Sequence, residues 1–227
     1  PHDHSMKLCK WHAATPELVE KAIESSRRAW KEWSTTPIHV RVSIFEKAAQ
    51  LLAGPWRDTF NASTMLNQSK TCFQAEIDAS CELIDFFRWN NYFALNKVYT
   101  DQPESQEGMW NYVDHRPLEG FVYAITPFNF TSIAANLPAS AVLMGNVSLW
   151  KPSEHSMLSN YYVMKLFEAA GLPKGVINFI PGEPAGITEQ LLKAPDFAGL
   201  HYTGSTAVFR NIWQKIGANL GSYRSYP

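Results

Sequence analysis

Four short segments of the chain carry residue types that could do chemistry. Asn129 lies in Thr126-Pro127-Phe128-Asn129-Phe130. A side-chain amide held there could donate a hydrogen bond to an oxyanion developing on a substrate, or it could simply form a turn. In Lys151-Pro152-Ser153-Glu154, a cation and a carboxylate stand three residues apart. Such a pair could take the two hydroxyls of a ribose by charge-assisted hydrogen bonds, or be a solvated loop. Gly204-Ser205-Thr206 offers backbone N–H groups to a phosphate, or is only a helix N-cap, since its spacing is not GxGxxG. Pro181-Gly182-Glu183-Pro184-Ala185-Gly186 is the fourth segment, a turn rich in Gly and Pro.

Each of these segments follows an apolar run with strand character, and together those runs define what must position them. The runs are Phe121 to Ile125, Val147 to Trp150, Val176 to Ile180 and Phe197 to Tyr202. Helical patterns over 131–144, 156–171, 185–193 and 204–220 alternate with them. One helix between neighbouring strands predicts a parallel sheet covered on both faces, with ligands beyond the carboxyl ends of its strands. That is a doubly wound, nucleotide-binding pattern. A carboxylate at Glu154 would repel a 2′-phosphate, so a ribose site there favours NAD over NADP.

The chain before Tyr99 reads as helical. Thr15 can cap a helix that has Pro16 at its first position and Glu17 in its first turn, ending near Trp33. A second helix carries Ile44, Phe45, Ala48, Leu51 and Leu52 until Gly54-Pro55 stops it, and a third covers 56–67. A fourth, over 73–96, is expected to pack along Ile77, Cys81, Ile84 and Phe87 or Arg88, with Glu82 and Asp85 on an adjoining face. The segment 99–108 is a loop, and the alternation from Met109 to His115 predicts an exposed strand.

Composition narrows the partners. Lys and Arg number 20 against 21 Asp and Glu, a net charge of −1. No global field would draw in nucleic acid or an anionic membrane, so a small-molecule partner is expected. No apolar run is long enough for a membrane helix, and no membrane insertion is expected. Cys9, Cys72 and Cys81 form no CxxC pair or disulfide framework, pointing to a reducing compartment and to buried thiols. His2-x-His4 lacks acidic or cysteine partners at ligand spacing, so no metal is expected. The glycosylation tripeptides at Asn61, Asn67, Asn129 and Asn146 carry little weight without a secretion signal.

In order and spacing, Pro-Phe-Asn-Phe, Lys-Pro-Ser-Glu, Gly-Val-Ile-Asn-Phe-Ile-Pro-Gly and Tyr-Thr-Gly-Ser-Thr resemble the aldehyde dehydrogenase superfamily over nearly the whole chain. Gly54-Pro55-Trp56-Arg57, 74–79, 82–88, Leu118-Glu119-Gly120-Phe121 and Met144-Gly145-Asn146 resemble its pyrroline-5-carboxylate dehydrogenase branch, which completes proline breakdown to glutamate. The resemblance implies NAD-dependent oxidation of L-glutamate γ-semialdehyde. It assigns Asn129 to the substrate oxygen, Lys151 and Glu154 to the adenosine ribose and Ser205 to the pyrophosphate. Ile125, Pro127, Phe128, Ser153, Gly182, Gly186 and Gly204 would line the same groove. Phe130 would border the aldehyde tunnel, and Glu82 would stand near the substrate amino group. Phe209 departs from the glycine that many superfamily members have four residues after the serine.

The superfamily reaction uses a cysteine thiolate, a glutamate base and NAD⁺ as hydride acceptor. None of the three cysteines matches the nucleophile position. The expected organisation is α/β: a helical part of the NAD-binding domain at 1–98, a linker or oligomerisation element at 99–119, and a Rossmann-like core at 120–227. A separate catalytic domain is expected outside this sequence, making the chain a fragment inactive by itself. The intact protein would be a homo-oligomer, in the mitochondrial matrix if eukaryotic and in the cytoplasm otherwise. The alternatives are another semialdehyde dehydrogenase and a truncated, non-catalytic NAD-binding or assembly module.

Overall fold

The computed structural model describes residues 3–227, so His2 lies outside the described residues. Four parallel strands form one sheet: β1 (Phe121–Ile125), β2 (Val147–Lys151), β3 (Ile177–Phe179) and β4 (Phe197–Tyr202), in the order β3-β2-β1-β4. The chain winds outward from β1 to β3 and then returns to the far side of β1. Between β1 and β4 the winding direction reverses, which is the place where sheets of this kind take a ligand beyond their strand ends.

Helices cover both faces. On one face, α6 (Thr131–Leu143) lies on β1, β2 and β4 and packs against α7 (Met157–Ala170). The other carries α1 (Pro16–Trp33) on the sheet, packed against α8 (Pro184–Lys193). Behind α6 and α7 stand α2 (Ile38–Ala53), α3 (Arg57–Gln68) and α5 (Glu82–Phe93), where Phe45, Phe87 and Phe167 bring three helices together with ring centroids 5.7–6.2 Å apart. The last helix, α9 (Thr206–Ala218), follows β4. As expected, Thr15 caps α1, Pro16 is its first residue, and Trp33 its last.

α6 is apolar around most of its circumference because it is sandwiched between sheet and helices, and nine of its residues are buried. Its C-terminal end closes on buried donors. The Arg41 guanidinium, itself buried, donates to the carbonyls of Leu143 (2.9 Å) and Thr36 (2.7 Å) and to the Tyr99 hydroxyl (3.1 Å). Trp33 Nε1 donates to the Val142 carbonyl at 3.0 Å.

Two expectations fail. The fourth helix is not a regular α-helix: it starts as α4 (Cys72–Ala75), widens to π geometry over Glu76–Cys81, continues as α5 and widens again over Ala94–Val98. A π segment adds a residue to the turn and rotates the downstream helix about its axis. Ile77 is consequently 45% exposed and Cys81 half-buried, while Ala75, Ala79, Ser80, Leu83, Ile84 and Phe87 face inward. Residues 109–115 form no strand either. Trp110, Tyr112 and their neighbours are exposed, and the backbone N–H groups of Asn111 and Val113 donate to the Ser105 and Gln102 side chains instead of to another strand. Alternation suffices for a strand only where a sheet edge is available to pair with it.

β1 is entered through Gly120, whose φ of +126° is one that side-chain-bearing residues avoid, and a Cβ there would overlap the Asp196 carbonyl. That carbonyl accepts from Phe121 N at 2.8 Å, and the Asp196 carboxylate, buried, binds Arg27 of α1 and Arg224 near the end of the chain. Gly120→Ala is therefore expected to destabilise the protein by about 1–3 kcal/mol. A shift in the urea midpoint measures it, and an unchanged midpoint would mean that the turn relaxes freely.

Candidate functional site

The register of the sheet aligns the strand ends. Ile125 is opposite Lys151 on one side and Tyr202 on the other. Three connections therefore leave the sheet at one level: the β1–α6 turn with Pro127, Phe128 and Asn129; the β2 exit with Ser153 and Glu154; and the β4–α9 turn with Gly204 and Ser205. The β3–α8 turn, with Gly182 and Gly186, lies at the edge of the sheet beyond β2.

Lys151 ends β2 with only 7% of its surface exposed. Its ammonium makes no hydrogen bond and no ion pair within 4 Å among the described residues. Burial holds its pKa below the usual lysine value, and the more distant carboxylates of Glu154 and Glu183 oppose that shift without cancelling it. An unpartnered ammonium carried on a buried side chain at the carboxyl end of a strand is an arrangement that an external oxygen ligand completes. Glu154 stands exposed in the following 3-10 turn (Glu154–Ser156), which Ser153 caps by accepting from His155 N at 3.3 Å.

At α9, the Ser205 side chain accepts from Val208 N at 3.4 Å. The N–H groups of Thr206 and Ala207 have no partner among the described residues, so the positive end of a 13-residue helix remains open to an anion. Gly204 is needed because a Cβ would collide with the Tyr202 ring, whose hydroxyl donates to the Ser205 carbonyl at 3.0 Å. Phe209 packs between Tyr202 and Trp213, with centroids 6.0 and 5.4 Å away. The N-terminus of α8 differs: the Glu183 carboxylate already accepts from Ala185 N (2.8 Å) and Gly186 N (2.6 Å), and these bonds hold its pKa low. Gly182 admits the segment before α1, with Ala14 N donating to the Pro181 carbonyl at 2.7 Å.

In the β1–α6 turn, Phe128 is 58% exposed and meets His155 edge-on, and Asn129 is exposed. Phe130 is half-buried, with the Lys70 ammonium 4.0 Å above its ring; Lys70 also pairs with Asp78. Glu82, distant in sequence, reaches this turn because its carboxylate accepts from the buried Ser132 hydroxyl in the first turn of α6.

Sequence patterns missed that contact and its neighbour. Thr131 shares a 2.8 Å hydrogen bond with Thr64 and donates to Gln68 Oε1 at 3.2 Å. Two adjacent hydroxyl residues opening a mostly apolar helix were the available signal, because buried hydroxyls require partners. Asn67 was missed as well: its side-chain oxygen accepts from Leu158 N and Ser159 N at 2.9 and 3.3 Å, satisfying the start of α7.

The cysteines are not the expected buried thiols. Cys9 and Cys72 are exposed, and Cys81 is half-buried beside Arg57 and Glu76. Burial, then the Glu76 charge, pushes the Cys81 thiol up, which keeps it protonated and poorly nucleophilic. No group of three or more His, Cys, Asp or Glu among the described residues could hold a metal ion.

The pattern of the aldehyde dehydrogenase family matches residues 1–224. A probable delta-1-pyrroline-5-carboxylate dehydrogenase of Schizosaccharomyces pombe is 49% identical over 229 residues, covering 100% of this chain and 42% of that protein. The mitochondrial delta-1-pyrroline-5-carboxylate dehydrogenase of Rattus norvegicus is 44% identical over 227 residues, again covering 100% of this chain and 40% of its own length. Among solved structures, the Mycobacterium tuberculosis delta-pyrroline-5-carboxylate dehydrogenase bound with NAD superposes with a TM-score of 0.97 at 51% identity, over 100% of this chain and 42% of that one. The chain thus spans about two fifths of the length of the curated relatives it matches.

The state of Lys151 makes a prediction about stability. Its folded pKa lies below 10.5, its ordinary value. Below the folded pKa both folded and unfolded chains carry the proton, and the fold bears the full burial cost. Between the two values the unfolded chain binds more protons, so stability rises with pH until the cost disappears near 10.5. Lys151→Met should stabilise the ligand-free protein by on the order of 1 kcal/mol at neutral pH, with the advantage shrinking as the solution is made alkaline. Chemical denaturation across that range tests it, and a destabilised Lys151→Met would show that the ammonium has a stabilising partner.

Proposed function

Because the chain belongs to the aldehyde dehydrogenase family, we propose that it forms the cofactor-binding part of an NAD-dependent dehydrogenase that oxidises L-glutamate γ-semialdehyde to glutamate. The observation that carries this proposal is the Lys151 side chain, buried along its length and without a hydrogen-bond or ion-pair partner, level with the carboxyl ends of β1 and β4. A dinucleotide fits this place chemically: Lys151 and Glu154 take the adenosine ribose hydroxyls, and Ser205 with the open amides of α9 meets the pyrophosphate. Ile125, Pro127, Phe128, Ser153, Gly182, Gly186 and Gly204 line the groove. Gly186 does so by shape alone, since its N–H is engaged by Glu183.

Bound there, NAD⁺ supplies the two-electron acceptor for the aldehyde. The chain's own residues bind and orient. The Asn129 amide donates to the aldehyde oxygen as negative charge develops on it, Phe130 borders the path of the substrate, and the Glu82 carboxylate receives the substrate's ammonium group. Cys9, Cys72 and Cys81 are assigned no part in the covalent chemistry. Several relatives, that of Rattus norvegicus among them, are named mitochondrial, and the matrix is the compartment proposed for this protein if its source is eukaryotic. A homo-oligomer is the proposed assembly of the intact protein. No helix among the described residues is long and apolar enough to cross a membrane.

Asn129→Ala in the intact protein should lower kcat by about 10²–10³-fold while leaving NAD⁺ affinity within a few-fold. Glu154→Gln should weaken discrimination against NADP⁺, because it removes the charge that repels a 2′-phosphate. Steady-state kinetics with both nucleotides decide the matter. An intact protein that does not reduce NAD⁺ with this semialdehyde, or an Asn129→Ala variant of full activity, would overturn the proposal.

A further inference from the structure

Ser132 is the second residue of α6 and is completely buried. A hydroxyl in the first turn of a helix has easy local partners, but this one donates across to α5, to Oε2 of Glu82. Glu82 makes no other hydrogen bond or ion pair among the described residues, so its second carboxylate oxygen remains open. Glu82 itself lines a cleft of about 530 Å³ whose walls include Asp85, Phe86, Trp89 and Phe93 and no lysine or arginine. A carboxylate with one oxygen held by a buried donor, in the lining of a cleft with aromatic walls, suits a primary ammonium on a short aliphatic chain.

The helix itself presents Glu82 to Ser132. The Glu82 N–H donates to the Ile77 carbonyl five residues back, so Glu82 is the position at which the π segment returns to α geometry. The inserted residue advances everything after it by roughly 100° about the helix axis relative to a plain α-helix. A network anchors the widened turn: Arg57 and Asn61 of α3 both bind the Glu76 carboxylate, and Ser80 donates to Asn61 Oδ1 at 2.7 Å. Thr131, beside Ser132, ties the same end of α6 to α3 through Thr64 and Gln68. The β1–α6 turn that carries Asn129 and the carboxylate of Glu82 are thus referenced to one buried frame.

We propose that Ser132 is a positioning residue that sets substrate specificity: its hydroxyl orients the Glu82 carboxylate toward the α-ammonium group of the aldehyde substrate. This rests on the function proposed above and adds to it the group that makes an amino-bearing aldehyde preferred over an otherwise identical one.

The test compares two five-carbon ω-aldehyde acids, glutamate γ-semialdehyde and the same molecule without its α-amino group, in the intact protein with NAD⁺. Ser132→Ala should lower the ratio of kcat/KM for the amino-bearing over the amino-free aldehyde about 3- to 10-fold, mainly through KM for the former. In a Glu82→Gln background, which loses the preference by itself, Ser132→Ala should change the ratio no further. A purely structural role for Ser132 would depress both substrates alike and leave the ratio unmoved, and that result overturns the proposal. So does an equal fall in the ratio with Glu82 already replaced. Should Ser132→Ala not fold, Ser132→Cys keeps the volume, weakens the donor and is judged by the same ratio. A wild-type protein that oxidises neither aldehyde overturns the proposed function itself, whereas normal wild-type turnover with an unmoved ratio overturns only the role of Ser132.

Discussion

The placement of α6 constrains much of the rest. A helix buried between a sheet and a second layer of helices cannot rely on water for its unpaired terminal carbonyls or its buried hydroxyls, so these must find partners in the protein. At the C-terminal end these are Arg41 and Trp33. At the N-terminal end, the hydroxyls of Thr131 and Ser132 reach Thr64, Gln68 and Glu82. These contacts tie α1, α2, α3 and α5 to one axis, and the turn immediately before that axis carries Asn129. Helices far from the strand ends in sequence therefore determine the geometry of their central loop.

The strand ends show a division of labour between two helix N-termini. α8 satisfies its first amides internally through Glu183, and its turn contributes shape. α9 uses only a serine cap and keeps two amides open. The difference lies in one residue type: a carboxylate at the cap position is long enough and charged enough to take two N–H groups, whereas a serine hydroxyl takes one. Lys151 extends the same logic to a side chain, held buried at a cost to the ligand-free fold. Stability forgone there is available as interaction with a ligand.

Much of the architecture was legible because it rests on local rules. Thr15-Pro16, Gly54 and the apolar runs before each loop marked element ends to within a residue or two, and β1 and β4 have the expected bounds. The loops at the ends of β1, β2 and β4 could be found as candidate sites because strand–loop–helix alternation in a parallel sheet always brings those ends together. The two failures of secondary structure share a cause. Whether 109–115 is a strand depends on a partner that periodicity cannot supply, and whether 72–98 is a plain α-helix depends on the packing that widened it. With α-helical spacing assumed, Ile77 was placed inward, and the inserted turn put it out.

Taken alone, the sequence determined the βαβ alternation, the order of the four loops and the residue types in them, since each arises from patterns a few residues long. It also carried the family resemblance, because those short motifs keep their order along the chain. Only the tertiary structure decided that Lys151 is buried without a partner and that Glu82 meets Ser132. Those facts are contacts between groups separated by up to 50 positions or exposures set by neighbouring layers. Dielectric environment and hydrogen-bond completion are properties of the packed interior, and no local pattern encodes them.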